Sequence, residues 1–270
     1  MLLLVPSDPL NPRKVDPHFQ PQAAAAAQVA RIDHDAVVRG EYAEAVRGVP
    51  SSEDAVYRGW MMTSGQYDGM ARALATRGTT LRTSSEDYRQ AHELPGWYDA
   101  LAGVTPLSAW GPPEDLDALC DRLGDGPAVL RDYVKSMKHY WHEAAYIPDL
   151  ADRPAVRRVV SRFLELRDDS FAGGLVLRQF EAFAGAEART WWIGGRCVLV
   201  TAHPDTPDET PQFDVLELEP LVAGLTLPFV TVDLVRRTDG VMRVVELGDG
   251  QVSDWPVSAD PALLVAALEA

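Results

Sequence analysis

The chain opens on an unbroken apolar run, Met1-Leu2-Leu3-Leu4-Val5, which Pro6-Ser7-Asp8-Pro9 stops. The run is too short for a signal-peptide core and lacks a basic lead, so it reads as a buried strand. Pro21 to Arg31, with its five-alanine stretch, is helical by propensity. Asp54 to Trp60 reads as a second strand running into a loop. Thr63 to Arg77 reads as a helix, capped by Ser/Thr at its start and ended by Gly78. Thr79–Thr83 is strand-like, and Ser84 or Ser85 caps a helix running to Ala91. Strand and helix alternating at this spacing predict a parallel α/β layer.

The prolines and glycines between Pro95 and Pro113 predict loops around the short piece Val104–Trp110. They also suggest a division near residue 100, giving domains 1–100 and 101–270. Beyond it the pattern predicts a helix over 114–123, a strand over 127–133, a helix over 154–167 and a strand over 174–183. Gly194-Gly195 predicts a hairpin between Arg189–Ile193 and Cys197–Thr201. Thr238-Asp239-Gly240 predicts another between Pro228–Arg236 and Val241–Leu247, and Pro261–Glu269 reads as a last helix. The second half is therefore mostly antiparallel, so the fold class is α/β followed by α+β.

Composition narrows the partners. Forty acidic and 25 basic side chains in 270 residues give a formal net charge of −15. Phosphate neutralisation needs a basic surface, so nucleic acid is not an expected partner. No stretch reaches the roughly 18 apolar residues of a membrane span, so no membrane is expected. Two cysteines, Cys120 and Cys197, give no disulfide framework, and the cytoplasm is the expected compartment.

Several chemistries are excluded by motif. No Gly-Lys dipeptide occurs, which removes the phosphate loop of nucleoside triphosphatases. No Gly-x-Gly-x-x-Gly or Gly-x-Ser-x-Gly occurs. His142-Glu143 lacks the second histidine of a zinc protease. His139 and His142 share a possible helix face but have no third metal ligand in the sequence pattern.

The informative stretch is the last hairpin. With Asp239-Gly240 as a two-residue turn, Asp233 falls directly opposite Glu246, their Cβ atoms about 4.5–5.5 Å apart. Val232, Leu234, Val245 and Leu247 would fill the other face. Like charges placed opposite each other repel, so a cation between them is one reading. Oxygen ligands favour Mg²⁺ or Mn²⁺ over zinc. The plainer reading is a longer turn, a slipped register and two solvated acids.

A strand Asp, a Glu about 13 positions on and a short polar tail resemble the metal-binding end of the ATP-grasp enzymes. Other segments fall in matching order. Pro127-Ala-Val-Leu-Arg131 through Lys135 and Lys138 resembles the phosphate-binding strand and loop. Leu177-Arg178-Gln179-Phe180-Glu181 resembles the strand leading to the adenine hinge. Ala186-Glu187-Ala188-Arg189 resembles the strand that follows. The opening Val5–Arg13 and Tyr57-Arg58-Gly59-Trp60-Met61 resemble an uncharacterised branch in which arginine and lysine exchange at basic positions. The chain departs from the pattern in three places. Arg131 stands for lysine, Gly248 for asparagine, and Arg178-Gln179-Phe180 for the usual hinge.

The resemblance implies an N-terminal parallel layer followed by an ATP-grasp domain with ATP between two sheets. It implies a ligase that activates a carboxylate as an acylphosphate for attack by an amine, on a small molecule, an amino acid or a peptide. ATP and Mg²⁺, with Mn²⁺ as substitute, are the implied cofactors. Arg131, Lys135 and Lys138 would neutralise phosphate charge, and Arg189 with Lys135 would act on the transferred phosphate. Arg178, Phe180, Glu181 and Glu187 would hold the nucleoside. Asp233, Glu246 and Asp249, the last standing in for the missing asparagine, would hold metal. Arg58 and Asp8 would meet the acceptor substrate. Each has a plainer alternative: edge charges at Arg131 and Lys135, a Glu187–Arg189 pair, a solvated Arg178, and packing at Tyr57 and Trp60. Two other functions stay open: a nucleotide-binding protein of impaired catalysis that acts through a partner, and an acidic α/β protein with a sugar or small-acid pocket.

Overall fold

The apolar start of the chain becomes the centre of a sheet. A computed structural model describes residues 1–209 and 211–270. Leu2, Leu3, Leu4 and Val5 of strand β1 (Leu2–Asp8) are buried. Strand β2 (Asn11–Val15) returns antiparallel against the end of β1. Strands β3 (Val29–Ile32) and β4 (Ser52–Tyr57) flank β1 in parallel, and β5 (Thr79–Leu81) extends the layer on β4. Helices cover it as the parallel pattern requires. The helix Ser64–Thr76 follows its sequence signals closely. Thr63 Oγ1 accepts from Gln66 N–H, and Gln66 Oε1 accepts from Thr63 N–H, a reciprocal cap.

Two expectations fail here for tertiary reasons. The helix expected over 21–31 ends at Ala25, and Ala26 is already extended (ψ 142°). Pairing of Val29–Ile32 with β1 buries Ala30 and Ile32, which outweighs the helix propensity of alanine. The stretch read as loops after Pro95 holds the helix Leu94–Leu101. Its proline sits in the first turn, where no intrahelical donor is lost. Trp97, Tyr98 and Leu101 of that helix are buried.

Strands β6 (Ser108–Gly111), β7 (Ala128–Asp132), β8 (Tyr146–Ile147) and β9 (Leu175–Gln179) form an antiparallel sheet in the order β6-β9-β7-β8. Helices Leu116–Leu123 and Arg153–Arg167 pack on it around Leu130, Phe163 and Leu177. The third sheet has β10 (Phe183–Ile193), β11 (Arg196–Ala202), β12 (Phe229–Arg237) and β13 (Met242–Asp249), ordered β11-β10-β12-β13. The expected Gly194-Gly195 turn is present, with both glycines at positive φ. Trp191 and Trp192 are both buried. The helix Pro261–Glu269 places Leu264 and Leu268 against Trp191, Phe229 and Trp255.

The last hairpin differs from the expected one at its tip. Gly240 N–H donates to Arg237 O and Arg237 N–H donates to Val241 O, each at 2.8 Å. The turn therefore holds three residues, with Gly240 left-handed (φ 88°). At the far end Gly250 N–H donates to Phe229 O (3.0 Å). Phe229 to Arg237 spans eight steps (237 − 229) and Val241 to Gly250 nine (250 − 241), so β13 carries one extra residue, a bulge. Val244 N–H leaves the ladder for Val104 O (2.8 Å), and Val245 O accepts from Arg178 Nη1 (2.6 Å). Beyond this opening the hairpin has the register in which Asp233 is level with Glu246.

Contacts divide the chain into two compact units rather than at a single cut near residue 100. One comprises residues 1–91, 185–234 and 246–270, and the other 92–184 and 235–245. No helix among the described residues is long and apolar enough to cross a membrane. Removing the cap with Thr63→Ala is expected to lower stability by about 1 kcal/mol in urea denaturation. An unchanged midpoint would mean that the cap does not hold this helix.

Candidate functional site

In the first unit the site residues gather on the third sheet. Arg189 of β10 lies against Asp233 of β12, its Nε and Nη2 donating to the two carboxylate oxygens at 2.8 Å each. Arg189 Nη1 donates to Asp254 O (3.0 Å), and Nη2 lies 3.1 Å from His203 Nε2. Burial alone would push the Asp233 carboxyl up. The Arg189 charge and its two bonds, aided by His203, hold it well below the usual carboxylate range. Asp233, Glu246 and Asp254 in turn keep Arg189 firmly protonated despite its burial. Glu187 Oε2 is 3.9 Å from His203 Nε2. Glu187, His203 and Asp233 offer ligand atoms within 4.8 Å of one another.

His203 escaped the sequence reading. Extending the Ile193–Arg196 pairing would set Ala202 opposite Glu187. A bulge between Trp191 and Trp192 shifts the register, so Ala188 pairs with Ala202. His203 N–H then donates to Glu187 O (3.3 Å). Only that bulge, which no residue pattern announces, brings the imidazole to the cluster.

Asp249 does not join them. It is buried, with Oδ1 accepting from Gln251 N–H (2.9 Å) and Gln251 Nε2 (3.1 Å), while Oδ2 has no hydrogen-bond partner. Gln251 also bonds Tyr67 in the core of the first sheet. Burial pushes the Asp249 carboxyl up to about 7. Three steps separate it from Glu246, so the two point to opposite faces of the strand. The expected metal-ligand role for Asp249 is corrected to a core one.

Arg58 is corrected as well. Its side chain is buried, donating to Gly250 O, to Ser253 O (2.9 Å) and to Gln22 Oε1 (2.8 Å). The guanidinium carbon lies 5.4 Å from the centre of the Trp191 ring. The group clamps the loop after β13 and does not face a substrate. Asp8 Oδ1 accepts from Leu10 and Asn11 N–H groups, shaping the β1–β2 turn. Asp8 also lines a shallow cavity of about 510 Å³ with Arg13, Lys14 and Arg31. Trp60, with Asp16 and His34, lines a second cavity of about 240 Å³.

In the second unit Arg131 likewise turns to the backbone. Its Nε donates to Asp132 O (3.2 Å) and its Nη2 to Val134 O (2.6 Å). Asp132 Oδ1 takes the Val134 and Lys135 N–H groups at 2.8 and 2.6 Å, and Oδ2 takes Arg167 Nε (2.8 Å) and Ala172 N–H (3.2 Å). These bonds set the shape of the loop bearing the exposed Lys135 and Lys138. Arg178 donates to Val245 O and to Thr105 Oγ1 (2.7 Å). Glu181 is paired with Arg243 at 2.8 and 2.7 Å, which takes it from the nucleoside role expected of it. Phe180 N–H donates to Pro127 O (2.9 Å). Its ring is 5.3 Å from Tyr146 and 6.4 Å from Trp141, which stacks on Tyr146 at 5.4 Å. This partly exposed aromatic trio could receive a flat base. Trp141 and Tyr146 lie far from Phe180 in sequence, so only the β7–β8 pairing reveals them.

Three antiparallel and parallel layers with an acid-bearing hairpin define the ATP-grasp fold, and solved structures match it over the whole chain. An ATP-grasp RimK-domain protein from Sphaerobacter thermophilus aligns over 99% of each chain at 15% identity and TM-score 0.64. The D-alanine–D-alanine ligase of Bacillus anthracis, complexed with ATP, aligns over 99% of this chain and 94% of its own at 15% identity and TM-score 0.62. The ATP-grasp ligase PsnB, complexed with minimal precursor, Mg and ADP, aligns over 99% and 96% at 14% identity and TM-score 0.59. At such identities the likeness is one of fold. The chain belongs to the ATP-grasp domains, family 3 of the R-to-K clade, whose sequence profile matches residues 122–268. No curated protein matches the chain in sequence.

The donor set fits a divalent cation. Asp233, Glu187 and Glu246 are carboxylates, and a positive group, Arg189, already rests among them. The displaced Asp249 gives a pH test. A carboxyl raised by folding stabilises the fold below the ordinary carboxylate range, and loses that contribution as pH rises through about 7. Asp249→Asn is therefore expected to gain melting temperature relative to the native protein between pH 5 and pH 8. The same offset at both values would show that Asp249 does not titrate in this window.

Proposed function

We propose that the chain is an ATP- and Mg²⁺-dependent ligase joining a carboxylate to an amine, on a small molecule, an amino acid or a peptide. The observation that carries this reading is the ionised Asp233, buried and level with Glu246 beside Arg189, in a chain of the ATP-grasp family. The solved relatives support it: one is complexed with ATP, another with Mg, ADP and a precursor.

In this reading a carboxylate oxygen attacks the γ-phosphorus of ATP, and the bond to the ADP oxygen breaks. An amine then attacks the acyl carbon, phosphate leaves, and the nitrogen loses a proton. Such chemistry asks the protein for position and fixed charge more than for bond-making. Mg²⁺, when bound, would supply positive charge to the phosphates from Asp233 and Glu246. Lys135 and Lys138 would neutralise phosphate oxygens, with Arg131 and Asp132 holding their loop. Trp141, Tyr146 and Phe180 would receive the adenine, and Glu187 would accept from ribose hydroxyls. Arg189 would hold the transferred phosphate after letting go of Asp233.

One observation favours the alternative, a nucleotide-binding protein of impaired turnover that acts through a partner. Residue 248 is glycine, which offers no ligand beside Glu246. ADP release measured across a panel of carboxylates and amines separates the two. The ligase reading expects release that requires both partners, and nucleotide binding without release supports the alternative. Lys138→Ala is expected to weaken ATP about tenfold while leaving adenosine unchanged. Equal weakening of both would remove Lys138 from the phosphate site.

A further inference from the structure

Among the described residues, the one group of histidine and carboxylate ligands close enough to share a metal ion is Glu187, His203 and Asp233. His203 Nε2 lies 3.5 Å from Asp233 Oδ2 and 3.9 Å from Glu187 Oε2. Donors about 2.1 Å from a common ion stand roughly 3–4 Å apart, so this spacing is that of a coordination shell. Arg189 Nη2 lies among them, 2.8 Å from Asp233 Oδ2 and 3.1 Å from His203 Nε2.

We propose that Glu187, His203 and Asp233 form a mixed imidazole–carboxylate site for a divalent transition-metal ion, with Arg189 as the cation that the metal displaces. The site needs neither ATP nor turnover, so it stands apart from the ligase reading, with which it shares only Asp233.

The geometry around the imidazole carries the argument. A neutral imidazole accepts at one nitrogen and donates at the other. Arg189 presents N–H groups to Nε2, while the Asp205 N–H lies 3.1 Å from Nδ1. The ring thus faces donors on both sides, and one contact is always mismatched. A metal ion at Nε2 removes the conflict. It takes the lone pair there, and the proton rests on Nδ1, where the Asp205 carboxylate (3.8 Å) can accept it. A carboxylate behind the ligating imidazole is the usual outer support of such a site. Three acceptors around one guanidinium also show that the place is built for positive charge. An imidazole in the shell favours Mn²⁺ and later transition metals over Mg²⁺, which prefers oxygen donors and its own water.

The test is Mn²⁺ binding to the nucleotide-free protein, followed by the electron paramagnetic resonance of free Mn²⁺. Arg189→Gln is expected to tighten Mn²⁺ about fivefold or more, because it removes the competing cation. Adding His203→Gln to that variant is expected to weaken Mn²⁺ about tenfold. Mg²⁺ should displace Mn²⁺ only at about tenfold or greater excess over the metal's own affinity. Failure of Arg189→Gln to tighten binding, indifference to His203→Gln, or equal affinity for Mg²⁺ would each overturn the site. If Arg189→Gln does not fold, the native and His203→Gln proteins decide it. Mn²⁺ should raise the melting temperature of the first and not of the second, and an equal rise in both would overturn the proposal. ADP release in the presence of Mg²⁺ judges the ligase reading separately.

Discussion

A guanidinium taken out of water keeps its charge, so it must be met by oxygen on every side. Four arginines impose that condition on this chain. Arg58 collects the carbonyls of Gly250 and Ser253, Arg131 those of Asp132 and Val134, Arg178 that of Val245, and Arg189 that of Asp254. Each carbonyl belongs to a loop or a strand opening that the sheet ladders leave unpaired. The arginines therefore fix the irregular backbone of both units: the loop after β13, the loop after β7, and the bulge in β13. Lysine, with one compact ammonium, could not bridge two such carbonyls with a planar fork.

Arg189 is the case where this staple meets chemistry. It binds the one deeply buried carboxylate of the hairpin through two parallel bonds, the strongest form of such a pair. Removing either partner of a buried pair costs about 3–5 kcal/mol, because the other charge is stranded. Any divalent ion that takes Asp233 must therefore replace the guanidinium at once. Arrival of metal and release of Arg189 become one event, and the released cation is then available to an anionic phosphate. His203 and Glu187, brought beside the pair by the bulge in β10, decide how well that exchange is supported.

Much of the frame was legible in the residues. Thr63 and Gln66 announced their helix, Gly194-Gly195 its turn, and the opening leucines the central strand. What escaped was decided by partners distant in sequence. Ala26–Ile32 follow β1 into a strand against their own propensity. The helix after Leu94 looked like a loop because its proline sits where a helix tolerates one. The candidate site was legible as a list of charges but not as a set of contacts. Burial turned Arg58, Arg178 and Asp249 inward, and Glu181 was taken by Arg243, none of which spacing can report. Asp233 and Glu246 kept their expected level through a three-residue turn and a bulge that offset each other.

The central claim is that Asp233 and Glu246 serve a metal–nucleotide complex. Calorimetric titration of ATP into the native protein and into Glu246→Gln, each with and without Mg²⁺, tests it most directly. The account expects binding that requires Mg²⁺ in the native protein and is lost in the variant, with an unchanged circular dichroism spectrum. Absence of ATP binding in the native protein, or Mg²⁺-dependent binding that survives in Glu246→Gln, would contradict it.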